Sequence, residues 1–205
     1  MTQKNTPNQI KLIIEQTLIL AQEKNWGSIS FADLSKATGI GIENLQQLVP
    51  NKTQLLIWML DEIDLRIQEE CRDSFSDEDG PHERLFEVLM LRFDILNENR
   101  QAYVAIYHAI RKDPKLMAQL LPEFSNSMQL MLELVGVNSS FQELNRLKST
   151  GLGMIYLNVF QTWVEDQSGD LSKTMAVLDK RLNQAGGMMQ YVTGLLSKWQ
   201  PDQHT

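Results

Sequence analysis

From Gln9 to Lys24 the apolar residues Ile10, Ile13, Ile14, Leu18 and Ala21 return every three or four positions, the spacing of one helix face. Ser30 followed three residues on by Asp33 has the form of a capping box, so a short helix opens there. Gly39 is placed to end that helix in a left-handed turn. A third short helix, about residues 42–48, stops before Pro50, because the residue preceding a proline is pushed out of the helical region. Residues 52–75 read as one long helix, after which the segment SDEDGPHE, residues 76–83, breaks the pattern with acids, Gly80 and Pro81. Beyond it the pattern predicts helices at about 82–97, 99–111, 114–135, 140–167 and 170–198, with Pro114 opening its helix and Pro122 kinking it. No sustained period-two run of β-branched residues occurs, so the predicted fold is all-α, with a head of residues 1–52 and a helical body of residues 53–205.

Composition narrows this picture without changing it. With 42% apolar residues and only six prolines and eleven glycines in 205, the chain can bury a core and is not of low complexity. The single Cys71 excludes an intramolecular disulfide frame and a cysteine-based zinc site, which suits a reducing, cytoplasmic setting. The N-terminal MTQKNTPNQ lacks the apolar stretch of a signal peptide, and no run is apolar enough for a membrane span. The acidic loop does not have the form of a calcium site either: counted from Asp77, the twelfth position, where a glutamate is needed, holds Val88. Nor is there a paired-histidine motif, a serine elbow or a phosphate-cradling glycine loop, so the expectation is a binding protein with no enzymatic activity and no cofactor.

The net charge of −7 is unevenly spread. Residues 1–55 carry five lysines (Lys4, Lys11, Lys24, Lys36, Lys52) against Glu15, Glu23, Asp33 and Glu43, a net of +1, which leaves −8 for the rest. Any contact with nucleic acid therefore falls to the head, and its electrostatic part is weak.

Three short helices in the first 50 residues, the second and third joined by a tight glycine turn, describe a helix-turn-helix. The segment GIGIENLQQLVPNKTQLL, residues 39–56, resembles the head of TetR-family regulators in Gly39, Leu45, Pro50, Lys52, Leu55 and Leu56, with Phe31 and Leu34 matching the helix before it. The resemblance implies DNA binding through the third helix. Where that family usually has threonine, an aromatic and histidine, this chain has Asn44, Gln46 and Leu48, and Ile42 with Glu43 stands where lysine and glycine are common. Asn44, Gln46 and Gln47 retain amides able to bond base edges or phosphates, and Lys36 and Lys52 are the candidate phosphate contacts.

The same resemblance implies a homodimer formed by the last two helices, with Gly151, Gly153, Gly186 and Gly187 as places of close helix approach. The body is rich in methionine and aromatic side chains, which adapt to irregular ligands. Candidates for a hydrophobic small-molecule pocket are Met90, Phe93, Tyr103, Tyr107, His108, Met128, Met131, Tyr156 and Phe160, with core packing as the alternative for each.

A second segment, TWVEDQSGDLSKTMAVLDKRLNQAG at 162–186, resembles the C-terminal part of the TetR-like lipid-binding accessory proteins of ubiquinone biosynthesis. The matching residues are Asp166, Ser168, Asp170, Thr174, Leu178, Asp179, Arg181 and Leu182. In local terms, Ser168 or Asp170 is expected to cap the last helix, whose apolar stripe is Leu171, Met175, Leu178 and Leu182. This resemblance implies an isoprenoid lipid as ligand and a peripheral membrane contact through Met188, Val192, Leu195, Leu196 and Trp199. Two expectations follow: a dimeric TetR-type regulator whose head binds operator DNA and whose body holds a hydrophobic ligand, or a lipid-binding protein that keeps the head as scaffold.

Overall fold

The computed structural model describes residues 6–72, 75–76, 79–137 and 141–198, with Thr6 and residues 188–198 as backbone only. Its helices are α1 (Thr6–Glu23), α2 (Phe31–Thr38), α3 (Ile42–Leu48), α4 (Lys52–Cys71), α5 (Pro81–Glu98), α6 (Arg100–Ile110), α7 (Pro114–Leu134), α8 (Gln142–Glu165) and α9 (Ser172–Lys198). No strand occurs among the described residues. One element escapes the apolar periodicity. Trp26–Ser28 form a single 3₁₀ turn, capped where the Asn25 side chain accepts from Gly27 N at 3.0 Å.

The head folds as its polar signals require. Ser30 Oγ accepts from Asp33 N at 3.1 Å while Asp33 Oδ2 accepts from Ser30 N at 2.9 Å, which satisfies two orphan amides at the start of α2. Gly39 ends α2 at φ 70°, a conformation that costs a side-chain-bearing residue about 1–2 kcal/mol, and α3 starts after Gly41. Ile13, Ile14 and Leu18 of α1 close over Leu34 and Leu45, with Trp26 and Ile29 of the connection sealing the edge.

This head core does not end with the head. Leu55, Leu56 and Met59 from the first half of α4, and Ala102 and Ile106 from α6, complete it. The second half of α4 turns Ile63, Ile67 and Cys71 into a separate core with α5, α7, α8 and α9, centred on Phe93, Met128, Met131 and Trp163. One helix thus serves both cores. α7 packs between α4 and α8, and its apolar face runs on through Pro122 as one helix.

The corner between α8 and α9 is held by polar groups. Asp166, 1% exposed, accepts from Ser168 N at 3.0 Å, from Thr174 N at 2.9 Å and from Thr174 Oγ1 at 2.8 Å, and Ser168 Oγ also donates to it. Burial works to raise its pKa, yet these bonds outweigh it and hold the carboxyl well below the ordinary range. Asp170 Oδ1 accepts from Ser172 N at 3.1 Å. The aspartates, not Ser168, therefore cap α9, and Leu171, which follows Asp170 and precedes the helix, takes a left-handed turn at φ 55°. Arg100 closes the corner from α6, donating to the carbonyls of Trp163 and Asp166 with its guanidinium 4.6 Å from the Trp163 ring centroid. The stripe on α9 is narrower than predicted, since Leu171, Leu178 and Leu182 are buried but Met175 is 37% exposed.

Of the glycines expected at close approaches, Gly153 is one: a Cβ there would stand 3.1 Å from Phe124 Cε1. Gly151, Gly186 and Gly187 have open space beside them. The predicted membrane-facing side chains Met188, Val192, Leu195 and Leu196, and Trp199, lie outside the described residues. Among the described residues, no helix is long and apolar enough to cross a membrane.

Candidate nucleic-acid interface and ligand cavity

α3 is anchored by Leu45 and by Val49 at its C-cap, both fully buried, with Leu48 half-buried beside them, and its other residues face outward. Asn44, Gln46 and Gln47 are exposed, as is Lys36 on α2. Ile42, 43% exposed, and Glu43 share that surface, and no lysine or arginine lies on α3. Lys52 differs from its expected role as a phosphate contact. Its Nζ turns inward, donating to the carbonyls of Trp26 at 2.8 Å and Gly27 at 3.2 Å and lying 5.4 Å from the Trp26 ring centroid. Partial burial lowers its pKa. The Trp26 carbonyl also accepts from Ile29 N at 3.4 Å, and the lysine adds a second donor there and supplies one to the Gly27 carbonyl. Lys24 is likewise engaged, with Asp33 at 2.6 Å.

The body holds an apolar cavity of about 280 Å³, close to the low end for small-molecule sites and open to solvent where Arg111, Met117, Leu121 and Leu157 are exposed. Four of the candidate residues line it: Tyr103, Tyr107, Tyr156 and Phe160. Phe93, Met128 and Met131 do not. They are fully buried behind it, where Phe93 stacks on Tyr156 with centroids 5.2 Å apart, and they serve as its supporting core. Met90 packs against the same core, away from the cavity. His108 is exposed and borders a second, polar cleft between head and body, with Lys52, Lys112, Asp113 and Gln119. On α6 it follows Tyr107 by one position, and that rotation carries it off the cavity face.

Met117 and Phe124 of α7, part of the body's methionine and aromatic stock, also line the cavity, as do residues the sequence did not single out: Leu120 and Leu121 of α7, Met59 and Ile63 of α4, and Arg92 of α5. Arg92 is 2% exposed and donates through Nη1 to Asp64 Oδ1 at 2.5 Å and through Nε to the Tyr156 hydroxyl at 3.3 Å. Ser127 Oγ donates to the same Asp64 oxygen at 2.8 Å. A signal for this pair was present in the sequence. Arg92 interrupts the stripe Leu85, Val88, Leu89, Phe93, Leu96, and Asp64 interrupts Leu56, Met59, Ile63, Ile67; opposite charges on two apolar faces are the mark of a buried pair.

Neither a family model nor a curated protein matches this sequence. Solved structures do match it. The chain is similar to a TetR transcriptional regulator from Nitrosomonas europaea, with TM-score 0.72 and 18% identity over 86% of this chain and 97% of that one. A TetR transcriptional regulator from Rhodococcus sp. aligns with TM-score 0.67 and 18% identity over 88% and 97% of the two chains. A further TetR-family protein from Rhodococcus sp. aligns with TM-score 0.61 and 11% identity over 86% and 97%. The fold defined by these helices is that of the TetR-family transcriptional regulators. The head with its exposed α3 and the cavity of the helical body are the two candidate sites of this chain.

Proposed function

We propose that the protein is a cytoplasmic, dimeric transcriptional regulator whose head binds operator DNA and whose cavity holds a hydrophobic effector. One observation carries the reading: the cavity and the head core share side chains. Leu56, Met59 and Ile106 are buried in the head core and also line the cavity. An occupant that shifts α4 or α6 must move the surface on which α1–α3 rest, because packed cores shift as units and do not deform gradually. The occupant thereby changes the orientation of α3. The exposed amides Asn44, Gln46 and Gln47 contact bases or phosphates, and Lys36 supplies a phosphate contact.

The dimer forms on α8 and α9. Leu144, Leu147 and Met154 are exposed on one face of α8, Leu147 and Met154 each at 65%, and Gly151 lies between them with open space beside it. That face is apolar enough to require a partner, and a second copy fits a two-fold axis.

The test is an electrophoretic shift with the DNA upstream of the protein's own gene at moderate salt, with random duplex as competitor. Gln46→Ala is expected to lose about tenfold in specific affinity, the value of a base-edge contact. Binding no better than to random duplex overturns the reading. The absence of basic residues on α3 and the inward turn of Lys52 favour a second reading, in which the head is a scaffold and the body carries an isoprenoid lipid. Organic extraction of the purified protein followed by mass spectrometry tests it, and an extract free of isoprenoid lipid refutes it.

A further inference from the structure

The polar groups in the cavity wall have one character. Every polar side chain there is an arginine or a tyrosine: Arg92, Arg111, Tyr103, Tyr107 and Tyr156. Among the described residues the wall has no carboxylate, amide or small hydroxyl, and everything else in it is apolar. Arginine only donates hydrogen bonds, and a phenol donates readily.

At the deep end the donors are unspent. Arg92 uses Nη1 on Asp64 and Nε on Tyr156, while its Nη2 has no partner among the described residues although the residue is 98% buried. The Tyr156 hydroxyl accepts from Arg92, and its own proton has no acceptor among the described residues. Tyr103, close enough to Arg92 and Tyr156 to feel both, also makes no hydrogen bond among the described residues. Burial raises the pKa of Tyr156 and pushes that of Tyr103 up to about 12, so both phenols keep their protons at neutral pH.

The charge at this end is already matched. Asp64 sits behind Arg92, outside the cavity wall, and pairs with it at 2.5 Å. A ligand carboxylate beside this pair would be a third charge with no counterion, in a wall too apolar to solvate it. A neutral carbonyl, by contrast, accepts from the free Nη2 and the phenols without disturbing the pair. The remaining walls, Phe124, Phe160, Ile63, Leu120 and Leu121, suit an alkyl or aryl body.

We infer that the cavity selects a neutral, largely apolar molecule bearing one carbonyl, a ketone or ester, seated with its oxygen toward Arg92 and Tyr103 and its hydrocarbon part toward α7 and α8. This rests on the ligand-binding reading of the body and specifies the ligand's chemistry. The mouth residue Arg111 is exposed and lies over the Tyr107 ring, where water screens it, so it adds little for an anion.

The test uses three probes of near-equal size on the full chain, by titration calorimetry and thermal shift: butyrophenone, butylbenzene and 4-phenylbutanoate. Butyrophenone is expected to bind about tenfold tighter than butylbenzene, the value of a hydrogen bond to a charged donor that is itself only 2% exposed. Partitioning from water alone favours the hydrocarbon, so this order is diagnostic. The preference is expected to shrink to about threefold or less in Tyr103→Phe and likewise in the double variant Asp64→Leu/Arg92→Met, each of which removes one of the donors. Phenylbutanoate is compared in Arg111→Ala protein, so that binding at the mouth does not count. Equal binding of ketone and hydrocarbon, or tighter binding of the carboxylate, overturns this inference and leaves the cavity reading standing. If none of the three binds, the cavity reading falls, and this inference with it.

Discussion

Replacing Asp64 with leucine removes the counterion of a guanidinium that has almost no access to water. Arg92 is 2% exposed, and without Asp64 it keeps only the 3.3 Å bond to Tyr156. An uncompensated buried charge costs about 3–5 kcal/mol, and stranding Ser127 Oγ adds about 1 kcal/mol. Against a total stability of about 5–15 kcal/mol, Asp64→Leu leaves the fold marginal. Arg92→Met is expected to cost about 3–5 kcal/mol by the converse route, leaving a buried carboxylate bonded only to Ser127. The double variant Asp64→Leu/Arg92→Met fills similar volume with no buried charge, and its cost is expected to be smaller than that of either single change. Urea unfolding at neutral pH, followed by tryptophan fluorescence, measures all four corners of the cycle. Single costs below about 1 kcal/mol, or a double cost equal to the two singles added, would refute the buried-pair reasoning.

Asp166 carries the pH dependence of the α8–α9 corner. Its folded pKa is lowered, so its contribution is fully present above the ordinary carboxylate range, near pH 4, and is lost as pH falls toward the folded value. Asp166→Asn is expected to lower stability by about 2–3 kcal/mol at pH 7, with the gap to wild type narrowing below about pH 4; a pH-independent gap in urea midpoints contradicts this. Gly153→Leu forces side-chain atoms into Phe124, where even a Cβ stands 3.1 Å away, and should cost about 1–3 kcal/mol in the same assay, whereas Gly151→Leu, facing open space, should leave the monomer's packing intact. Ser30→Ala removes the acceptor for Asp33 N and should cost about 1 kcal/mol, with no change in helix content by circular dichroism outside the first turn of α2. Lys52→Met removes the ammonium that bonds the Trp26 and Gly27 carbonyls and should lower thermal stability; if it leaves stability unchanged while abolishing a DNA shift, Lys52 is a phosphate contact after all.

The local signals in the chain were largely self-sufficient. Ser30 with Asp33, Gly39, Pro50 and Pro81 act within a few residues of themselves, through hydrogen bonds and φ restrictions that need no distant partner. They marked the head and most helix ends. They failed at Trp26–Ser28, a turn too short to have a period, and at the start of α9 they reached Asp170, which caps Ser172 N, but not Asp166, which is eight residues from the amide it caps. The matches at 162–186 to lipid-binding proteins now have a local explanation for several positions. Asp166, Ser168, Asp170 and Thr174 build the corner, Leu178 and Leu182 enter the core, and Arg181 bonds Asn158 at 2.8 Å.

The cavity was half legible. Aromatic residues on α6 and α8 pointed to it, but the α7 wall and the roles of Phe93, Met128 and Met131 depend on which face of each helix meets which neighbour. A 3.6-residue period identifies an apolar face and says nothing of what lies opposite. From the amino-acid order came the all-α class, the helix-turn-helix, the outward amides of α3 and the capping chemistry, because each depends on neighbours in the chain. Packing alone settled that α4 belongs to two cores, that Lys52 turns inward, and that Arg92 and Asp64, 28 residues apart, meet at the base of a cavity. These rest on helix crossings, where side chains from distant segments exclude water from one another, and no local pattern records which segments those will be.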